Sequence, residues 1–206
     1  MWGIPSADLP AEVSTQAGPS QFRSDIFKQT PPESIKLSLQ KNMEKNALVI
    51  IDVQNYFVNE HTRTIPGKIA RFISNHKFDF VLFTKFVNHE GSNYFKLLNW
   101  KKCLGSPDID IHKTLKKFVK VSNIFEKTSY SVFRSKRFVG FLRKNQIKKL
   151  YLCGTDIDAC VLASAFDAFD LGYEMEVLIR LSLSHSGRRL DKAALEIIKK
   201  NLTKKQ

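Results

Sequence analysis

The sequence predicts an α/β fold: a three-layer sandwich whose mostly parallel sheet, of five to six strands, carries helices on both faces. Short apolar runs recur along the chain, as expected of strands buried on both sides. Segments with helical spacing of apolar residues alternate with them, and that alternation is the mark of strand–helix–strand crossovers. At 206 residues the chain suffices for one well-buried domain and falls short of two comfortable ones.

Residues 1–45 read as an N-terminal arm, flexible or packed on a partner subunit. They hold five of the seven prolines, and the stretch Ser14–Ser20 is small and polar, with one short helix expected around Glu33–Lys41. The domain proper is expected over 46–206. Ala47–Val53 is a continuous apolar run interrupted by Asp52 and predicts the first strand. Pro66–His76 has helical spacing at Ile69, Phe72 and Ile73, with proline in its first turn. Asp79–Val87 predicts the second strand, Tyr94–Trp100 and Ile111–Phe118 short helices, and Val121–Phe125 the third strand. Lys136–Lys144 predicts a helix and Lys149–Cys153 a fourth strand that ends at Gly154. Ala159–Leu171 predicts a helix with Gly172 just past its end, where glycine relieves the left-handed turn. Glu174–Arg180 predicts the fifth strand and Asp191–Asn201 a closing amphipathic helix.

Composition narrows the function classes. Hydrophobic residues make up 43% and charged residues 26%, an ordinary globular mix. No apolar run approaches the roughly 18 residues of a membrane span, so no membrane partner is expected. The N-terminus lacks a basic segment followed by an apolar one, and three cysteines at irregular spacing make neither a disulfide framework nor a zinc pattern. Both features point to a reducing, cytoplasmic location. The net charge is +13; residues 1–45 carry five basic and five acidic side chains, so all of the excess lies beyond them. No nucleic-acid-binding motif accompanies it, and we read it as a solvated lysine-rich surface rather than a nucleic-acid interface.

Parallel sheets bind ligands beyond the carboxyl ends of their strands. Three polar residues stand at such ends: Asp52 after the first strand, Lys127 after the third, and Cys160 just past the fourth at a helix start. A helix N-terminus and a nearby lysine favour the nucleophilic thiolate, and an aspartate in reach can take and return a proton. Singly, each has an ordinary reading too: Cys160 as a small buried hydrophobe, Asp52 as a turn carboxylate, Lys127 as a solvated charge. Cys153 fits an apolar strand interior, and Cys103, beside Lys101 and Lys102, an exposed thiol.

The local words point further. Ile50-Ile51-Asp52-Val53-Gln54-Asn55-Tyr56-Phe57 resembles the opening signature of the isochorismatase-like cysteine hydrolases, an Asp-x-Gln at a strand end followed by an aromatic. Glu126-Lys127-Thr128-Ser129-Tyr130-Ser131-Val132-Phe133 is similar to that family's lysine segment. Gly154-Thr155-Asp156-Ile157-Asp158-Ala159-Cys160-Val161, continued by Ala163–Ala168 and Leu171-Gly172-Tyr173, is similar to its nucleophile segment. The three words stand in the family's order across residues 46–200.

The resemblance implies the isochorismatase-like hydrolase fold and a catalytic triad of Cys160 as nucleophile, Asp52 as general acid and base, and Lys127 as electrostatic support. It also implies a cis peptide between Thr155 and Asp156, with the backbone N–H groups of Asp156 and Cys160 as the oxyanion hole. The substrate implied is a small amide or other C–N compound, cleaved through a thioester, and the family's habit is a homodimer or tetramer. Tyr56, Asn88, Trp100 and Tyr130 are the candidate substrate contacts, while Phe57 and Phe133 are expected in the core. Two departures stand out: Ile157 where the family usually has threonine, and Arg180 at the end of the fifth strand where aspartate is common.

The nicotinamidase branch adds a metal held by an Asp-x-His pair and a later histidine. In Thr84-Lys85-Phe86-Val87-Asn88-His89, Phe86 and Asn88 occupy those places, so neither metal nor cofactor is expected. His61, His76 and His112 are expected at the surface, and no protease signature supports pairing Cys160 with His185. Two other classes compete: a family fold that has lost hydrolysis and serves as a binding or scaffold protein, and a basic-surface nucleic-acid binder.

Overall fold

The structure is a computed structural model that describes residues 44–203. The arm, with its short helix expected around 33–41, lies outside the described residues but for its end. Five strands form one sheet in the order β3-β2-β1-β4-β5: β1 (Lys45–Ile51), β2 (Phe80–Phe86), β3 (Ile124–Lys127), β4 (Ile147–Gly154) and β5 (Glu174–Ser182). Every pairing between them is parallel. Helices α1 (Ile65–Asn75), α2 (Asn93–Leu98), α3 (Lys136–Lys144), α4 (Leu162–Asp170) and α5 (Arg188–Asn201) complete the α/β architecture. Among the described residues no helix is long and apolar enough to cross a membrane.

The central strand explains the layering. β1 has neighbours on both edges, so its side chains alternate between two buried faces. Ala47, Val49 and Ile51 join a cluster with Phe138 and Leu142 of α3, Ala165 and Ala168 of α4, and Ala194 and Ile198 of α5. Leu48 and Ile50 face the other way, onto Ile65 and Ile69 of α1 and Leu115 of the 3₁₀ turn Lys113–Phe118. Chain order reverses direction between β1 and β4, so the crevice for a ligand opens at the carboxyl ends of those strands.

Two differences from the sequence reading have local causes. The third strand starts at Ile124, because Asn123 binds the preceding turn: its Nδ2 donates to Val81 O and Phe118 O, both at 3.0 Å, and its Oδ1 accepts from Lys120 N at 2.6 Å. Val121, ahead of that anchor, is exposed. The nucleophile segment opens not as an α-helix but as a π turn, Ile157–Val161, in which Val161 N donates to Asp156 O at 3.0 Å before α4 begins. Such turns gather at functional sites.

Candidate active site

Glycine at 154 lets the β1 and β4 ends close on each other. Its φ is +123°, and a Cβ there would lie 2.1 Å from Ile51 O. The two strands thus bring the Asp52 and Thr155 backbones together, and Thr155 Oγ1 donates to Asp52 O at 2.7 Å. Asp52 turns out of the strand with φ 48°; its N–H donates to Thr84 Oγ1 at 3.1 Å, and that hydroxyl donates to Asp52 Oδ1 at 2.6 Å. Gln54 serves the scaffold: its Nε2 donates to Phe86 O and Ile109 O, and its Oε1 accepts from Phe86 N at 2.7 Å.

Lys127, the last residue of β3, is fully buried at its side chain, as is Asp52. Its Nζ lies 2.6 Å from Asp52 Oδ2 and 3.3 Å from Cys160 Sγ, and donates to Ser129 O at 2.7 Å. The ammonium also sits 5.1 Å from the centroid of the Phe86 ring. Burial works to lower the Lys127 pKa, but the Asp52 carboxylate and Cys160 outweigh it and hold the group above its ordinary value. The three residues at strand ends therefore meet around one cation.

The thiol itself differs from the simple expectation of a depressed pKa. Burial pushes the Cys160 thiol upward, Lys127 opposes, and Asp52 reinforces the rise. Cys153 is buried in β4, as expected. Cys103 corrects the expectation of an exposed thiol: it is fully buried against Phe57 and Phe86, and burial pushes it up to about 12.

Cys160 opens onto a cavity of about 280 Å³ lined by aromatic walls, among them Phe57, Phe86, Tyr94, Trp100 and Tyr130. A wider groove of about 530 Å³ lies on the other side of Tyr94 and Tyr130, but Cys160 does not line it. Of the two, only the smaller cavity is lined by Cys160, and it is the candidate site. Trp100 and Tyr130 line it as expected. Tyr56 stands one layer behind, its ring 5.1 Å from Phe57, 5.5 Å from Trp100 and 5.8 Å from His185. Asn88 does not line it. Its Nδ2 donates to Trp100 O and Lys102 O, and its Oδ1 accepts from His89 N and Ser92 Oγ, so its capacity is taken up in shaping the loop. Phe57, expected in the core, is both buried and part of the wall; Phe133 is in the core.

Sequence reasoning weighed His185 only as a protease-type partner of Cys160 and set it aside. It follows β5 and lines the cavity, bound twice by Asp156: its N–H donates to Oδ1 at 2.8 Å, and Nδ1 lies 2.5 Å from Oδ2. That hydrogen bond raises the imidazole pKa above its ordinary value against the pull of burial. The signal was available, since a histidine just past a strand's carboxyl end belongs to the edge where ligands bind. His61 is likewise no bare surface residue; its Nε2 lies 2.6 Å from Asp191 Oδ2. The peptide between Thr155 and Asp156 is cis. Ile157 packs in the core, and Arg180 borders a separate groove beside α1.

A doubly wound parallel sheet with an aspartate, a lysine and a cysteine converging at its carboxyl edge defines an α/β protein built around a buried sulfur. The isochorismatase domain family matches residues 46–204, and the chain belongs to that family. It is 30% identical over 154 residues to PncA of Bacillus subtilis (strain 168), described as an uncharacterized isochorismatase family protein, covering 65% of this chain and 83% of that one. The structure of nicotinamidase PncA from B. subtilis superposes with a TM-score of 0.61 at 26% identity, covering 75% of this chain and 94% of that one. An isochorismatase-like hydrolase from Alkaliphilus metalliredigens shares the fold with a TM-score of 0.67 at 19% identity, covering 75% and 91%.

A pyrazinamidase of Pyrococcus horikoshii, with a TM-score of 0.60 at 22% identity over 76% of this chain and 95% of that one, was solved in complex with zinc. The residues present here do not fit such an ion. Phe86 offers a ring where a carboxylate is needed, Asn88 is fully engaged, and His89 is exposed. Among the described residues, no group of three or more His, Cys, Asp or Glu side chains is placed to hold a metal.

Proposed function

We propose that the protein is a cysteine-dependent hydrolase of a small amide, acting through a thioester with Asp52, Lys127 and Cys160 as its catalytic residues. One observation carries the reading: a single buried ammonium touches both the Asp52 carboxylate and the Cys160 sulfur on the cavity floor. The nicotinamidase and pyrazinamidase names of related proteins agree with amide cleavage.

The proposed chemistry starts from Cys160 as a thiol with Asp52 beside it. Asp52 takes the thiol proton as sulfur attacks the amide carbon, and the carbonyl oxygen becomes an oxyanion held by the Asp156 and Cys160 backbone N–H groups. Collapse breaks the C–N bond, and the proton on Asp52 passes to the departing nitrogen. Water then attacks the thioester carbon while Asp52 takes its proton; the C–S bond breaks and that proton returns to sulfur. The net change is amide plus water to acid plus amine. Lys127 offsets each negative charge as it moves between carboxylate and sulfur. Ammonia release from a panel of aromatic and aliphatic amides, by the wild type and by Cys160→Ala, tests the reading. Release by the wild type alone is expected; equal release by both, or none by the wild type, would overturn it.

A further inference from the structure

Carboxyl groups outnumber basic groups in and behind the cavity. Asp52 is paired with Lys127 at 2.6 Å, and Asp156 with His185 at 2.5 Å. Asp158, on the π turn two residues before Cys160, lines the same cavity; it makes no direct ion pair, and the nearby imidazole it acts on, His185, is already bound by Asp156. Its Oδ1 is buried and has no hydrogen-bond partner. Tyr94 OH, which lines the same cavity, is also buried and unpaired. Burial raises the pKa of the Cys160 thiol and of the Tyr94 and Tyr130 phenols above their ordinary values. Two basic groups, Lys127 and His185, thus stand beside three carboxyl groups, those of Asp52, Asp156 and Asp158.

Buried polar atoms in native proteins find partners, and a carboxylate oxygen left alone costs more than a neutral group. Two unpaired atoms in one cavity offer a ligand two hydrogen-bonding positions. An amide N–H would satisfy Asp158 as a hydrogen-bond acceptor, but only a cation also offsets its charge. The aromatic faces of Phe57, Trp100 and Tyr130 attract a cation as well. The +13 chain draws anions toward the surface at large, so the sign inside this cavity is a local feature, opposite to the surface field.

We propose that the substrate is a small aromatic amide bearing a protonated amine, whose ammonium group is bound by Asp158 and the surrounding rings while its carbonyl meets Cys160. This rests on the hydrolase reading for the carbonyl and on the unpaired carboxylate for the amine. Asp158 thereby sets specificity and rejects carboxylate-bearing amides by repulsion.

The test uses three matched probes in both meta and para forms: aminomethylbenzamide, ethylbenzamide and carbamoylbenzoate, which are cationic, neutral and anionic. Binding is measured by calorimetry, and ammonia release is measured in parallel. The cation is expected to bind the wild type roughly tenfold to a hundredfold more tightly than the neutral probe, with the anion weakest. Asp158→Asn should collapse that ratio toward one; Asp158→Glu, which keeps the charge, should retain part of it. Equal binding of all three, a preference for the anion, no detectable binding of the cation, or a ratio unchanged in Asp158→Asn overturns the proposal. Cation-selective binding that Asp158→Asn abolishes, without ammonia release from any probe, would overturn the hydrolase reading and with it the substrate assignment, and leave only the cation site at Asp158 standing.

Discussion

Replacing Lys127 by methionine removes the charge and keeps most of the volume. The lysine and Asp52 are both fully buried at their side chains, with Nζ 2.6 Å from the carboxylate. At an effective dielectric of about 20, charges at that separation attract by roughly 6 kcal/mol. Relief of the lysine's own burial offsets part of this, and breaking a buried pair by removing one partner costs about 3–5 kcal/mol. For a domain of this size, each kcal/mol shifts Tm by about 2–4 °C, so Lys127→Met should lower Tm by roughly 6–20 °C. The assay is thermal and urea unfolding at pH 7, run beside Asp52→Leu and the double variant. The double variant should recover most of the lost stability, because no isolated charge is left, and should remain inactive. A loss for Lys127→Met below about 1 kcal/mol, the scale of an exposed pair, would refute the reasoning.

Stability should carry a pH signature from His185: its raised pKa favours the protonated ring in the folded state, so this contribution is complete below 6.5 and is lost as pH rises through the folded value. Urea midpoints from pH 5 to 9 should show that fall in the wild type and a flatter profile in His185→Gln; identical profiles would count against it. Iodoacetamide should modify Cys160 before Cys103 or Cys153, since of the three only Cys160 lines the cavity, and its rate should still be climbing above pH 9 because burial raises the thiol. Peptide mapping showing Cys103 first, or a plateau near neutral pH, would contradict the site's geometry. Exhaustive chelation should leave turnover unchanged, because Phe86 and Asn88 do not fit a metal; loss on chelation with recovery on adding zinc, iron or manganese would locate ligands we have not recognised.

What was legible in the sequence was what the backbone places. Asp52, Lys127 and Cys160 stand at or just past three strand ends, and parallel strands bring their carboxyl ends to one edge. The five strands and the helices between them followed from apolar runs, because strands buried on both faces leave little else to read. The cavity walls were less legible because they depend on side-chain direction and on loops. Asn88 and Tyr56 lie near the right place in the chain, yet one is taken up by loop carbonyls and the other packs behind Phe57. Lys101 and Lys102 suggested an exposed Cys103, but the backbone turns there with φ 56° and the thiol faces the aromatic cluster. The place of His185 just past β5 put it at the ligand-binding edge, but its pairing with Asp156 is a long-range hydrogen bond that the sequence alone does not show.

The central claim is a covalent intermediate on Cys160, and rapid-quench mass spectrometry of the protein during turnover tests it most directly. With an amide that releases ammonia, the account predicts an acyl mass added to the Cys160 peptide, labile to hydroxylamine and absent in Cys160→Ala. Turnover at full rate with no adduct on Cys160 under quench conditions that preserve thioesters, or with an adduct on another residue, would contradict it.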